Sequence, residues 1–419
     1  MLGLITAVML VTTFSAHAEF VKDSYIITFK KPSGTEKPII DPPNEMNRGK
    51  TPVGMHSTGQ SKEKLAAQLN LKGKVISILE TINAVHVNMT ADEAQRLSLD
   101  PRVLYVQQDM IATAAIQNNP GWALDRLDEV TPLLDNTYND SPSNGTGRTI
   151  YILDSGIALG NATVAAEFGG RASVIWDVNT GGTGNDCFGH GTQVASAAAG
   201  NTYGTAKGAT VIAAKITTDC TGNTSTSTST TLFNWLAANA PRGSIANWSY
   251  EFRDTTCSNP TFDTTLENAI RAAHNAGVIV VVAAGNNPCN TANYTPTRIQ
   301  EAFVVGATSR NRIASNGQDE ITSFSRFGWN ISTFAPGESV ATLNYTGVQT
   351  LVNGTSFSAP YVAGLFATAC QASGTVCNTA TSAAPLYQLM RDSGTLNTVT
   401  NVGGSTLTGS TSRFLYKSW

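Results

Sequence analysis

The stretch VNGTSFSAPYVAG, Val352 to Gly364, holds Ser356 and Ser358 between small residues and a proline. A serine at a tight helix start is often only a cap, but beside a base its hydroxyl can attack a carbonyl carbon. The window is not the G-x-S-x-G elbow, because Ser358 stands where the second glycine belongs. A weakly nucleophilic hydroxyl needs a general base, and His17, His56, His86, His190 and His274 are the only histidines. The first three precede the region that carries the serines, and His274 lies near the end of an amphipathic helix, where a histidine suits the helix dipole. His190, between glycines in DCFGHGTQVASAAAG, is therefore the base candidate. A third segment, TIYILDSG, ends an apolar strand in Asp154, which reads either as a turn former or as the carboxylate that orients a histidine. Serine, histidine and aspartate in combination point to acyl transfer.

Groups so far apart in sequence need a scaffold that gathers them. From about Ile116 onward, apolar strands such as TIYILD, TVIAAKI and VIVVVAAG alternate with helical segments such as TTLENAIRAAHNAG. Buried strands separated by helices predict an α/β fold with a doubly wound, mostly parallel sheet. Chemistry in such a sheet collects at the carboxyl ends of strands and at helix starts, which is where the three segments fall. TDCTGNTSTSTSTT reads as a low-complexity loop.

Upstream, SYIITFK, KEKLAAQLN, VISIL, AVHVNM, TADEAQRLSL and VLYVQQD read as strand, helix, two strands, helix and strand. That order predicts a small α+β, ferredoxin-like unit, with a capping box from Thr90 to Glu93 opening its second helix. Residues 32–60, rich in Pro and Gly, read as a flexible insertion. The opening MLGLITAVMLVTTFSAHA has the apolar run and the A-x-A-like end of a signal peptide. The expected organisation is a signal peptide over 1–18, the α+β unit over 19–115 and the α/β domain over 116–419.

Net charge is −3 and charged residues make up only 14% of the chain. With no basic stripe, nucleic-acid binding has nothing to work with. In place of charge the chain carries Gly, Ser, Thr and Asn, a make-up that together with the leader suggests a secreted, neutral-surfaced protein. Six cysteines agree with export: Cys187, Cys220, Cys257, Cys289, Cys370 and Cys377. None forms a C-x-x-C pair, zinc spacing is lacking, and the residues alone do not choose among the pairings. Sequons at Asn144, Asn223 and Asn293 can carry glycan in a host that glycosylates.

The order Asp154, His190, Ser356 is that of subtilisin rather than of chymotrypsin or the α/β-hydrolases. YILDSGI, GHGTQVA, VVVAAGN and NGTSFSAPYVAG each resemble a subtilase signature, and the nearest branch is similar to proteinase K and aqualysin. GWALDRLDE resembles that branch's mature N-terminus, STSRFLYKSW its closing strand, and the α+β unit the inhibitory propeptide of subtilases. The resemblance implies a secreted serine endopeptidase made as a self-cleaving precursor, acting on polypeptides as a monomer, with no catalytic cofactor. It makes Ser356 the nucleophile, His190 the base, Asp154 its orienting partner and Asn286 the oxyanion-hole side chain, leaving Ser358 an ordinary serine. Gln193 departs from the second histidine that many members carry.

Further site residues follow from the same resemblance. Cys187 is expected to pair with Cys220 and Cys257 with Cys289, leaving Cys370 for Cys377. Asp125, Asp128, Glu129 and Asp135 match a calcium loop of aqualysin-like relatives, the alternative being an acidic turn that binds nothing. Ser332 replaces the aspartate of a different calcium site in proteinase K. Where the family reads Ser-Leu-Gly on its substrate-binding strand, this chain reads Ser249, Tyr250, Glu251. A carboxylate there needs a partner, and Arg253, two residues on along a strand, is the expected one. Two rivals are a catalytically silent relative that binds partners through its cleft, and a lipase or esterase, which the residue order opposes.

Overall fold

The run TIYILD becomes a strand, Thr149–Asp154, with every residue after the first buried. The computed structural model describes residues 20–30, 62–79, 82–110 and 116–417, apart from 180, 314–317, 375, 397, 402–406 and 408. The leader over 1–18, the whole Pro- and Gly-rich stretch over 32–60 and the Ala114–Ala115 region lie outside the described residues. The chain forms two compact units, one within residues 1–113 and the other within 114–419.

In the first unit the elements are β1 (Phe20–Phe29), α1 (Lys62–Gln68), β2 (Lys74–Leu79), β3 (Ala84–Asn88), α2 (Ala91–Ser98) and β4 (Val103–Met110). The four strands form one antiparallel sheet in the order β2-β3-β1-β4. Alternation in β1 and β3 sends Tyr25, Ile27, Val85 and Val87 into a core closed by Leu65 of α1 and Leu97 of α2. Only half of the expected capping box forms. Thr90 accepts from the Glu93 N–H at 3.3 Å, but the Glu93 carboxylate turns to the Lys72 N–H.

The second unit opens with β5 (Ile116–Asn118), α3 (Trp122–Leu127) and β6 (Thr137–Asn139). Then follow β7 (Thr149–Asp154), α4 (Ala162–Phe168), β8 (Ala172–Asp177), α5 (His190–Ala199), β9 (Thr210–Lys215), α6 (Thr226–Asn239), β10 (Ile245–Trp248), α7 (Thr264–Asn275) and β11 (Ile279–Ala283). After these come β12 (Phe303–Ile313), β13 (Asp319–Ile321), β14 (Ile331–Pro336), the hairpin β15 (Val340–Leu343) and β16 (Gln349–Val352), α8 (Thr355–Ala372), α9 (Val376–Thr379), α10 (Ala384–Ser393) and β17 (Val399–Thr400). The main sheet runs β17-β13-β12-β11-β10-β7-β9-β8, with β14 also paired to β12; among the described residues only its β12–β13 pair is antiparallel.

The β-branched run IVVVA of β11 is buried at all five positions, as expected for a strand covered on both faces, and α7 and α8 both pack against it. Register explains how the sheet gathers a site. Leu153 of β7 pairs with Trp248 of β10, which pairs with Val282 of β11. The residues just beyond these, Asp154, Ser249 and Ala283, therefore leave the sheet side by side at its carboxyl edge. The cysteines pair as Cys187–Cys220, Cys257–Cys289 and Cys370–Cys377. The closing segment is tied by bridges from Phe414 to Phe334 and Thr395 rather than by a full strand. No helix among the described residues is long and apolar enough to cross a membrane.

Candidate active site

His190 is the first residue of α5, and its Nδ1 lies 2.8 Å from Asp154 Oδ1 at the end of β7. The same oxygen accepts the Ser155 N–H at 2.7 Å, while Oδ2 is buried without a hydrogen-bond partner among the described residues. With Nδ1 committed to the carboxylate, Nε2 is the nitrogen left free for chemistry. Burial pulls the His190 pKa down, but the Asp154 charge, its hydrogen bond and the nearby Asp186 charge outweigh it, so the imidazole sits above its ordinary value.

Asp186, not singled out from the sequence, builds the turn that presents His190. Its Oδ1 accepts from the Ser155 hydroxyl at 2.9 Å and the Gly189 N–H at 2.7 Å, and its Oδ2 from the Thr192 N–H and hydroxyl. Ser155 in turn accepts from the Gly191 N–H at 2.8 Å. Gly191 is required by this close approach, since a Cβ there would lie 2.3 Å from the Gly156 carbonyl oxygen. The sequence signal was an aspartate four residues before a histidine that opens a helix, too common a pattern to stand alone.

Ser356 is the second residue of α8, so its N–H belongs to the first turn, whose donors have no acceptor within the helix. Pro360 lies inside the same helix and lacks the N–H that would bond the Ser356 carbonyl. Ser249 fills that gap: its hydroxyl donates to the Ser356 carbonyl at 2.9 Å and is itself held by Asn247 Nδ2 at 2.9 Å. The Ser356 hydroxyl donates to the Ser249 carbonyl at 3.3 Å rather than to His190. Ser358 points away and donates to the Pro336 carbonyl at 3.0 Å.

Asn286 follows β11. Its side-chain oxygen is fixed by the Thr355 N–H at 2.8 Å and the Thr355 hydroxyl at 3.0 Å, leaving Nδ2 with no protein acceptor among the described residues. His190, Ser249, Tyr250, Glu251, Asn286 and Ser356 line one cleft of about 540 Å³. Glu251 is not paired with Arg253, and the expectation is corrected. β10 ends at Trp248, so residues 249–254 do not alternate as a strand, and Arg253 is exposed. The partner is Arg326, with a side chain only 1% exposed and Nη2 3.3 Å from Glu251 Oε2.

Away from the cleft, carboxylate oxygens of Asp125, Glu129 and Asp135 lie within 4.8 Å of one another. Burial and the Asp135 charge raise the pKa of both Asp125 and Glu129, a crowding that a hard cation would relieve. Asp128 does not join them: its Oδ2 accepts the Asn139 N–H at 2.8 Å, and burial above all pushes its pKa up to about 7. His274 is buried with its ring centroid 5.0 Å from that of Tyr387, it is not among the residues that line the cleft, and burial lowers its pKa.

A profile of the subtilase family matches residues 145–405, and the chain belongs to that family of serine endopeptidases. It is 33% identical over 391 residues to an extracellular serine proteinase of Thermus sp. (strain Rt41A), covering 92% of this chain and 88% of that one. It is 32% identical over 356 residues to alkaline serine exoprotease A of Vibrio alginolyticus; the match covers 83% of this chain but only 60% of the relative's length. A solved cold-adapted subtilisin-like serine proteinase aligns at a TM-score of 0.61 and 30% identity, covering 72% of this chain and 99% of that one.

Proposed function

We propose that the protein is a secreted serine endopeptidase in which Asp154, His190, Ser356 and Asn286 carry the reaction. The observation that carries this reading is the 2.8 Å contact of the buried Asp154 with His190, which lines the same cleft as Ser356 and Asn286. The reaction requires the Ser356 hydroxyl to turn from the Ser249 carbonyl to His190 Nε2, which takes the proton as Ser356 attacks the peptide carbonyl carbon. Asn286 Nδ2 and the Ser356 N–H face the developing oxyanion. His190 then hands its proton to the departing amine, and a water repeats the cycle on the acyl-enzyme. Asp154 holds the imidazole tautomer and stabilises its charged form.

The finer reading follows the three-part organisation. A signal peptide over 1–18 directs export, the unit over 19–115 inhibits the protease over 116–419, and Ser356 cuts its own chain near Ala114 or Ala115. The mature protease works as a monomer on polypeptides, needs no catalytic cofactor, and holds calcium at Asp125, Glu129 and Asp135. With Glu251 offset by Arg326, the pocket for the residue before the scissile bond is narrowed and nearly neutral, favouring small or medium apolar side chains. Expression of Ser356→Ala in a protease-deficient host tests the maturation step. The variant is expected to accumulate at precursor size; a mature-size band would show that the cut is made by another enzyme.

A further inference from the structure

Glu251 does more than border a pocket. Its Oε2 accepts the Asn286 backbone N–H at 2.9 Å while pairing with Arg326 at 3.3 Å. Arg326 is itself locked: Nη2 donates to the Phe252 carbonyl at 2.8 Å, and the guanidinium lies 3.8 Å over the Tyr294 ring. Tyr294 donates to Asp254 at 2.9 Å, and Arg326's own N–H donates to the Gly285 carbonyl at 3.0 Å. Gly285 has φ +110°, and a Cβ there would lie 2.7 Å from both Arg326 and Glu251 Oε2, so glycine lets the ion pair pass directly beneath the Asn286 turn.

Asn286 is thus clamped from two sides. Thr355 fixes its side-chain oxygen and thereby aims Nδ2; Glu251 fixes its backbone N–H and thereby sets where the turn sits. A bare carboxylate this close to a developing oxyanion would oppose its negative charge. The buried Arg326 offsets that charge, so Glu251 can hold the turn without working against the reaction.

We infer that Glu251, backed by Arg326, is a positioning residue for the oxyanion-hole asparagine Asn286; this rests on the proposed role of Asn286 and couples that hole to the wall of the substrate pocket. Losing a bond that places the donor costs less than losing the donor, which is worth roughly 10²–10³ in kcat. The test measures kcat and KM per active site on a soluble peptide with a small residue before the scissile bond, in the mature enzyme. Asn286→Ala is expected to lose roughly 10²–10³ in kcat. Glu251→Ala is expected to lose about tenfold in kcat with KM changed less than about threefold. Glu251→Gln, whose amide oxygen still accepts from the Asn286 N–H, is expected to recover most of that kcat. In the Asn286→Ala background, Glu251→Ala is expected to add nothing, because no side-chain donor remains to be placed. Should Glu251→Ala fold poorly with Arg326 unpaired, Glu251→Ala with Arg326→Met leaves no lone buried charge and serves in its place. Unchanged kcat in Glu251→Ala beside a crippled Asn286→Ala, or full additivity of the two, overturns the positioning role. Full activity in Asn286→Ala would instead overturn the oxyanion-hole reading beneath it.

Discussion

Between the two serines of VNGTSFSAPYVAG, geometry separates what residue type could not. Ser358 is spent on the Pro336 carbonyl, whereas Ser356 faces the cleft. His190 carries a pH prediction with a definite sign. The base must be neutral, and Asp154 together with Asp186 holds its pKa above the ordinary ~6.5 despite burial. Activity on a soluble peptide should therefore fall as pH drops through that raised value and level off above it; full activity at pH 4 would remove His190 from the role. Stability linkage runs the other way. Protonated His190 beside Asp154 favours the folded state below about 6.5, and that contribution fades as pH rises through the raised pKa. Glu251 sets the other residue-scale expectation. A peptide panel varying only the residue before the scissile bond should favour small or medium apolar side chains and shift toward larger ones in Glu251→Gly, while a preference for Lys or Arg would show the carboxylate is not offset.

Among elements, the strand ends and helix starts were legible because apolar runs ending in Asp154 and glycine-flanked helix starts are local signals. The partner of Glu251 was not. Arg326 reaches it from a distant loop, and the i, i+2 argument for Arg253 failed once the backbone left the strand after Trp248. The half-formed capping box has the same cause, a tertiary donor at Lys72 outcompeting a local one. Pro360 shows how one element depends on another, since the carbonyl it frees on Ser356 is satisfied by Ser249. Ser249→Ala should leave that buried carbonyl bare and cost about 1–3 kcal/mol. Adding Pro360→Ala restores a helical donor and should return part of the loss, read as coupled shifts in urea midpoints. Strict additivity of the two substitutions would refute the link.

For the whole molecule, two units were readable from the change in strand pattern near Ile116, since amphipathic alternation and continuous apolar runs demand different surroundings. The acidic loop was readable as composition only: Asp128 sits among the acids in sequence yet accepts from the Asn139 N–H, and the carboxylates of Asp125, Glu129 and Asp135 lie close enough together to hold one cation. Chelation should lower the melting temperature of the mature protein, and Asp135→Asn should erase most of that sensitivity. A melting temperature indifferent to chelator would mark the loop as a solvated turn.

The central claim is that Ser356, activated by His190, attacks peptide carbonyls. Its most direct test is labelling the mature protein with a serine-directed fluorophosphonate, mapping the modified peptide and following casein hydrolysis in the same sample. One label on Ser356, loss of casein hydrolysis in proportion to labelling, and no label in His190→Ala are the predicted results. Casein hydrolysis that persists after complete labelling of Ser356, or a label that settles on another residue, would contradict the account.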